Sequence, residues 1–200
     1  MTKTYSTAKL LLLALFLSAC SNISQQPSNS SQSPNFTDNS AEQEARLALL
    51  NPLSKWRMRG KIGLRSPQQN GSGFIDWQQD GEQFRLQVSG PLGQGSTVIA
   101  GNKHELSIQG EEIIDNPQAQ AEQALGWPLP QQQMPYWVRG LAAPNTNSQS
   151  EWSEGLLQKL QQGGWDIEYL RYSRHRIPLP EKIKLKRGDI QLTLVVKRWQ

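Results

Sequence analysis

Residues 56–64, WRMRGKIGL, decide the fold of this chain. Apolar side chains alternate there with charged side chains or glycine, and this period of two is typical of a β-strand with one dry face and one wet face. Trp56, Met58 and Ile62 belong to the dry face. The stretch therefore predicts a sheet whose inner face packs against an apolar core.

The same alternation continues towards the C-terminus in short segments. We expect strands over residues 74–79, 84–88, 97–100 and 104–109, separated by turns. The dipeptide Asp80-Gly81, between the first two of these segments, is a strong hairpin signal. Short consecutive strands with tight turns predict an antiparallel meander.

Helical patterns interrupt the strands in the middle of the chain. Residues 117–125 are rich in Ala, Gln and Glu and begin with proline, which predicts a helix. Residues 131–141 form a second, more apolar candidate. A helix is also expected over 41–50, where Ser40 and Gln43 resemble a capping box.

The C-terminal part returns to strand patterns after a polar loop over 145–150. Three segments there have β-like alternation: 165–172, 182–186 and 190–199. The sequence thus predicts a mostly β protein in which helices cover one face of a curved antiparallel sheet.

A separate signal at the N-terminus ends at the only cysteine of the chain. Two lysines accompany an apolar run over 10–17, which is shorter than the roughly 20 residues that a membrane-spanning helix needs. The sequence LSAC at 17–20 resembles the lipobox of bacterial lipoprotein precursors. The resemblance implies that residues 1–19 are a signal peptide that is removed, and that Cys20 then carries an N-acyl chain and an S-linked diacylglycerol. An ordinary secretory signal is the alternative.

The next segment, residues 21–39, is almost entirely Ser, Asn, Gln and Pro, a composition that cannot bury enough apolar surface to fold. We predict that residues 20–40 comprise the acylated cysteine and a flexible tether, and that 41–200 form a single domain. Without residues 1–19 the chain has 19 basic and 17 acidic side chains. This small excess does not indicate nucleic-acid binding.

The residues offer little for catalysis. His104 and His175 are the only histidines, and neither lies in a metal-ligand spacing. Ser96 and Ser107 lack the elbow motif of a serine hydrolase, and residues 93–95 lack the later glycine of a dinucleotide-binding fingerprint. We therefore predict a protein that is not an enzyme, with no catalytic residues, no metal and no cofactor besides the lipid on Cys20.

Tryptophan is unusually frequent for a domain of this size. The seven tryptophans lie at positions 56, 77, 127, 137, 152, 165 and 199. They either fill the core or contribute to a cavity for an apolar ligand, and both interpretations fit a large amphipathic ring.

Several motifs together resemble those of the LolB family of outer-membrane lipoprotein receptors. They are WRMRG at 56–60, FIDWQQ at 74–79, GPLG at 90–93, WVRGLAAP at 137–144 and Leu179-Pro180. The resemblance implies a half-open antiparallel β-barrel with a helical lid over a hydrophobic cavity. It also implies a monomer that accepts lipoproteins from a LolA-type periplasmic carrier and inserts them into the outer membrane without nucleotide.

The resemblance further implies a location and a delivery residue. Ser21 after Cys20 fits sorting to the outer membrane of a Gram-negative bacterium, where the lipid-anchored domain faces the periplasm. Pro91 and Gly93 suit a type I turn with Leu92 at its tip. From the residues alone, the Leu92 side chain either folds back onto the strands or is exposed; the family resemblance implies that it protrudes and inserts into the membrane.

The strand phase and the resemblance together give a set of residues expected to line the acyl-binding cavity. They are Trp56, Met58, Ile62, Ile75, Trp77, Phe84, Leu86, Ile99, Leu106, Trp137 and Tyr169. Core filling and cavity lining have the same sequence pattern. On the wet face, Arg57, Arg59 and Lys61 either steer an acidic carrier or are simply solvated.

Two rival functions remain open at this point. One is a structural lipoprotein that acts as a scaffold in an envelope complex through its sheet edge, with a filled core and no ligand. The other is an envelope hydrolase whose site the motifs do not reveal.

Overall fold

The computed structural model describes residues 37–91 and 95–200, which form one sheet and three helices. The helices are α1 (Thr37–Leu50), α2 (Pro117–Leu125) and α3 (Met134–Trp137). The strands are β1 (Lys55–Arg65), β2 (Asn70–Asp80), β3 (Gln83–Ser89), β4 (Ser96–Gly101), β5 (Leu106–Ile108), β6 (Glu111–Glu112), β7 (Ser148–Ser153), β8 (Leu156–Gln162), β9 (Trp165–Tyr172), β10 (Pro180–Arg187) and β11 (Ile190–Trp199).

The eleven described strands form a single antiparallel sheet in the order β6-β5-β4-β3-β2-β1-β11-β10-β9-β8-β7. Two meanders, β1 to β6 and β7 to β11, therefore meet where the first strand pairs with the last. The short β6 and the polar β7 are the two edges, so the sheet does not close. This confirms the predicted mostly β, half-open antiparallel architecture with helices.

Strand β1 has the alternation that its sequence predicts. Trp56, Met58 and Ile62 are buried, whereas Lys61 and Arg65 are exposed. The strand β2 beside it begins at Asn70, before the predicted start at 74, because its glycine-rich first residues still pair with the end of β1. Glycine is a poor strand former, so propensity alone placed the boundary too late.

Gly60 is the point at which the two meanders approach each other most closely. A register shift between Arg59 and Gly60 brings the backbone of β11 against it. A Cβ atom on Gly60 would lie 2.2 Å from the carbonyl oxygen of Val195. No other residue type fits without displacing one of the two strands.

The structure differs from the expected secondary structure in three further respects. Helix α1 begins at Thr37, before the predicted start at 41. Helix α3 covers only Met134–Trp137 of the predicted 131–141, because the chain turns at Gly140, where φ is 77°. Residues 148–150 belong to β7 rather than to a loop. The side chains of β7 and β8 do not alternate regularly between apolar and polar, since a register shift lies between Glu151 and Trp152.

Two buried arginines connect the helices to the chain around them. Arg139 donates from Nη1 to the carbonyl oxygens of Leu50 and Leu53, both at 2.7 Å, and from Nε to that of Pro135 at 2.9 Å. Arg46 of α1 donates to the carbonyl oxygen of Arg139 at 3.2 Å. Burial lowers the pKa of both guanidinium groups, yet arginine remains charged in proteins. The segment after α3 is therefore fixed to the end of α1.

Gln162 fixes the same segment to β8. Its Oε1 accepts from the indole Nε1 of Trp137 at 2.7 Å and from the backbone N–H of Ala143 at 2.8 Å. Its Nε2 donates to the carbonyl oxygens of Ala143 at 2.8 Å and Thr146 at 3.0 Å. All the hydrogen-bonding capacity of a buried amide is used, so this polar group is compatible with an apolar core.

Replacement of Gly60 by alanine is expected to lower the free energy of unfolding by about 3 kcal/mol, since the new methyl group collides with backbone rather than with a movable side chain. Gly63→Ala is the matched control, because the nearest atoms to a Cβ there are 4.0 Å away. It should change stability by less than about 1 kcal/mol. Urea unfolding followed by tryptophan fluorescence compares the two, and equal stabilities would contradict the close approach.

Arg139→Met keeps the aliphatic volume but leaves three carbonyl groups without their charged donor. We expect a loss of about 2–4 kcal/mol in unfolding free energy. Arg171→Met is the control, since Arg171 is an exposed strand residue whose ion pair with Glu181 should contribute less than about 1 kcal/mol. Thermal unfolding by circular dichroism measures both, and a stable Arg139→Met variant would exclude the anchoring role.

Candidate functional site

All eleven residues predicted to line a cavity lie in one buried cluster on the inner face of the sheet and under the helices. Their exposed fractions run from 0% for Met58, Leu86, Ile99 and Trp137 to 9% for Phe84. The aromatic rings contact one another: the ring centroids of Trp56 and Trp77 are 5.6 Å apart. The structure thus brings the set together as a packed core, and which members touch acyl chains stays a prediction.

The cluster continues across both meanders, beyond the residues that the sequence singled out. In β1, Ile62 pairs with Leu194 of β11, which pairs with Ile183 of β10, and Ile183 pairs with Tyr169 of β9. Leu157, Leu160 and Trp165 extend the same face on β8 and β9. Because the leucines of β8 are not spaced two residues apart, the alternation pattern in the sequence did not predict this extension.

Polar groups on this inner face are few and neutral. The hydroxyl of Tyr169 donates to the carbonyl oxygen of Trp137 at 2.9 Å, and burial raises the pKa of this phenol well above its ordinary value. Among the described residues, the buried indole N–H groups of Trp56 and Trp165 have no hydrogen-bond partner. An apolar surface with so few polar atoms can bind hydrocarbon.

Pockets open to solvent at both ends of the strands that carry the inner face. One opening, the glycine mouth, has a volume of about 200 Å³ and is lined by Ile62, Leu64, Gly71, Gly73, Gly90, Gly95, Leu125 and Trp127 among others. A Cβ atom on Gly71 would meet nothing within 4 Å, so glycine leaves this opening unobstructed. Sequence reasoning missed it, although glycines inside a strand pattern are a signal of missing side-chain volume.

The other opening, the aromatic mouth, lies near the opposite ends of the same strands. It has a volume of about 590 Å³ and is lined by Leu53, Trp56, Phe84, Pro135, Tyr136 and mostly polar residues. Trp56, which lines this mouth, packs against buried Trp77. The apolar core is thus reached from either end, and its centre is filled by side chains in this conformation.

Cys20 and Leu92 lie outside the described residues, so their predicted roles stay predictions. Among the described residues on either side, Ser89 ends β3 and pairs with Ser96, the first residue of β4. Gly90 and Gly95 line the glycine mouth.

The wet face of β1 is less basic than its sequence indicates. Asp76 of β2 accepts from Arg57 at 2.6 and 2.7 Å and from Arg59 at 2.9 Å. These hydrogen bonds lower the pKa of the Asp76 carboxyl. Lys61 has no such partner among the described residues. Of the three cationic side chains considered for steering an acidic carrier, Arg57 and Arg59 both pair with the Asp76 carboxylate.

Two searches of the described residues gave no sites. None of the described helices has the length and apolarity needed to cross a membrane. In the same part of the chain, no group of three or more His, Cys, Asp or Glu side chains could hold a metal ion.

Comparison with known proteins gives strong matches. The family model "Outer membrane lipoprotein LolB" matches residues 54–199. The outer-membrane lipoprotein LolB of Stutzerimonas stutzeri (strain A1501) is 41% identical over 194 residues, covering 94% of this chain and 92% of the relative. That of Chromohalobacter salexigens is 36% identical over 195 residues, covering 95% and 88%. A solved LolA superfamily protein from Nitrosomonas europaea is 8% identical, with a TM-score of 0.49, and covers 82% of this chain and 93% of that one.

The matched residues run from just before β1 to the last residue of β11, so they include the whole sheet, the glycine mouth and most of the aromatic mouth. The family is named for a lipoprotein of the outer membrane and not for an enzyme, which confirms the predicted location and the predicted absence of enzymatic function. The motifs at 56–60, 74–79 and 137–144 supply buried strand residues and the buried anchors Trp137 and Arg139. The chain belongs to the outer membrane lipoprotein LolB family.

Proposed function

We propose that this protein accepts lipoproteins from a soluble periplasmic carrier of the LolA type, holds their acyl chains against its inner face, and inserts them into the outer membrane. The observation that carries the proposal is the continuous apolar inner face with an opening at each end. Exposing a palmitoyl-length chain to water costs roughly 12 kcal/mol, at about 0.8 kcal/mol per CH₂. A direct passage between two apolar surfaces avoids this cost.

The filled centre of the core means that acyl chains enter only if part of the cover moves. Ala121 is the only buried residue of α2. The segment of α3 is fixed far more strongly, through buried Met134 and Trp137 and through Arg139 and Gln162. Helix α2 is therefore the part of the lid that opens, and the glycine mouth lies at its C-terminal end.

Direction requires no nucleotide in this scheme, since a lipoprotein moves towards the surface that binds it more tightly, with the membrane as the last acceptor. The lipid on Cys20, an N-acyl chain with an S-linked diacylglycerol, would keep the domain at that membrane, because two or more chains anchor stably. The domain functions as a monomer.

A scaffold in an envelope complex is the second candidate. It is favoured by the filled core and by the open sheet edge at β7, whose residues other than Trp152 are exposed. The two candidates differ in whether the inner face ever meets an acyl chain.

Crosslinking separates the candidates. A photoreactive residue at Leu125, in the glycine mouth, should capture the acylated end of a labelled lipoprotein delivered by its carrier to the mature chain carrying Cys20→Ala. The same residue at Leu170, which is 51% exposed in β9, is the control and should capture none. Absence of an adduct at Leu125, with a folded protein, would favour the scaffold.

Leu92→Glu is expected to leave folding and cargo acceptance unchanged but to reduce membrane insertion at least about tenfold, since a carboxylate cannot enter the acyl region. Transfer of labelled lipoprotein into liposomes measures insertion. Leu49→Glu, at an exposed position of α1, is the control. Normal insertion by the Leu92→Glu variant would refute a delivery role for this residue.

A further inference from the structure

An exposed aromatic side chain stands on the outer face of the sheet. Phe74 of β2 points away from the core, between buried Ile75 and half-buried Gly73, and 46% of it is exposed. The Nζ atom of Lys61 lies 5.8 Å from the centroid of its ring. A phenylalanine in this position contributes little to the core.

The strand register extends this pair into a row. Lys61 lies beside Phe74 on one side and beside Val195 on the other, and Val195 pairs in turn with Lys182 of β10. Because directly paired residues share a face, the four side chains form a line of alternating apolar and cationic groups across the outer face. We call these four residues the Phe74 patch.

Further cationic side chains lie near the patch, one of which, Lys186, pairs in register with Asp166 of β9. Arg65, Lys186 and Arg187 lie on the same half of the sheet, near the strand ends that flank the glycine mouth. Within the described residues, none of these three cations, nor Lys61 or Lys182, has an acidic side chain within 4 Å. Glu168, the acidic residue closest to the row on β9, already pairs with Lys184.

We propose that the Phe74 patch binds a membrane surface that contains anionic lipid, with the ring at the acyl boundary and the lysines on headgroup phosphates. A lysine beside an aromatic ring on a flat strand face suits a membrane–water interface, because the ring and the lysine stem are apolar whereas the ammonium group is charged. Lysines near an anionic leaflet are attracted by its negative surface potential.

This inference rests on the proposed function and adds to it the orientation of the domain on the membrane. With the patch on the membrane, the glycine mouth lies near the lipid surface, where acyl chains must leave. The anchor permits this placement: the 17 Cα–Cα steps from Cys20 to Thr37 could span at most roughly 60 Å when extended.

Vesicle binding by the mature chain carrying Cys20→Ala tests the patch. We expect co-sedimentation with vesicles of phosphatidylethanolamine and phosphatidylglycerol, and much weaker binding to phosphatidylcholine alone. Phe74→Ser should weaken binding about tenfold and Lys61→Gln about fivefold. Ile114→Ser is the matched control, because Ile114 is 83% exposed and follows β6 near the opposite strand ends. Circular dichroism checks that each variant is folded.

Wild-type levels of binding by Phe74→Ser, or no binding by the parent chain, would overturn the inference. So would a Phe74→Ser variant that binds vesicles normally but no longer receives lipoprotein, because the patch would then belong to the carrier. Crosslinking at Leu125 without vesicles keeps the two proposals separate. If that adduct is absent while vesicle binding still depends on Phe74, the proposed function fails and the membrane patch stands.

Discussion

The pairing of β1 with β11 is the constraint on which the rest of the structure depends. It joins two meanders, neither of which has a second layer of its own, into one sheet with a continuous inner face. The two backbones approach so closely at Gly60 that a methyl group has no room. Without this junction the tryptophans of β1 and β2 and the leucines of β10 and β11 would belong to separate, half-exposed surfaces.

The cover over this face is held by polar contacts to backbone rather than by apolar packing alone. Arg139 and Gln162 satisfy carbonyl groups that lie between helices, where no strand can pair with them. Because Arg139 and Gln162 form these hydrogen bonds at the edge of the inner face, the inner face itself remains apolar. Helix α2 has one buried residue and lacks comparable anchors, so the two parts of the cover differ in how easily they move.

Much of the fold could be predicted from the sequence, because the side chains of β1 and of β9 alternate between a buried, apolar face and a solvent-exposed, polar face. The hairpin of β7 and β8 could not, since an edge strand with polar side chains carries no such contrast. The residues of the candidate site could be predicted only as a group. Trp56 and Trp137 are buried as expected, but a packed core and a ligand-binding surface are formed by the same apolar residue types, so the sequence does not separate the two roles. The glycine mouth and Phe74 depend on register, which single-strand patterns do not contain.

The junction of first and last strand also governs how the protein acquires its fold. Its partners are separated by about 130 residues, and contacts between such distant segments form slowly. Until β11 arrives, the N-terminal meander exposes Trp56, Met58 and Trp77 with nothing to cover them. A chain that emerges N-terminus first therefore passes through a partly folded state with exposed apolar surface, and that surface is covered only when β11, residues 190–199, has paired with β1.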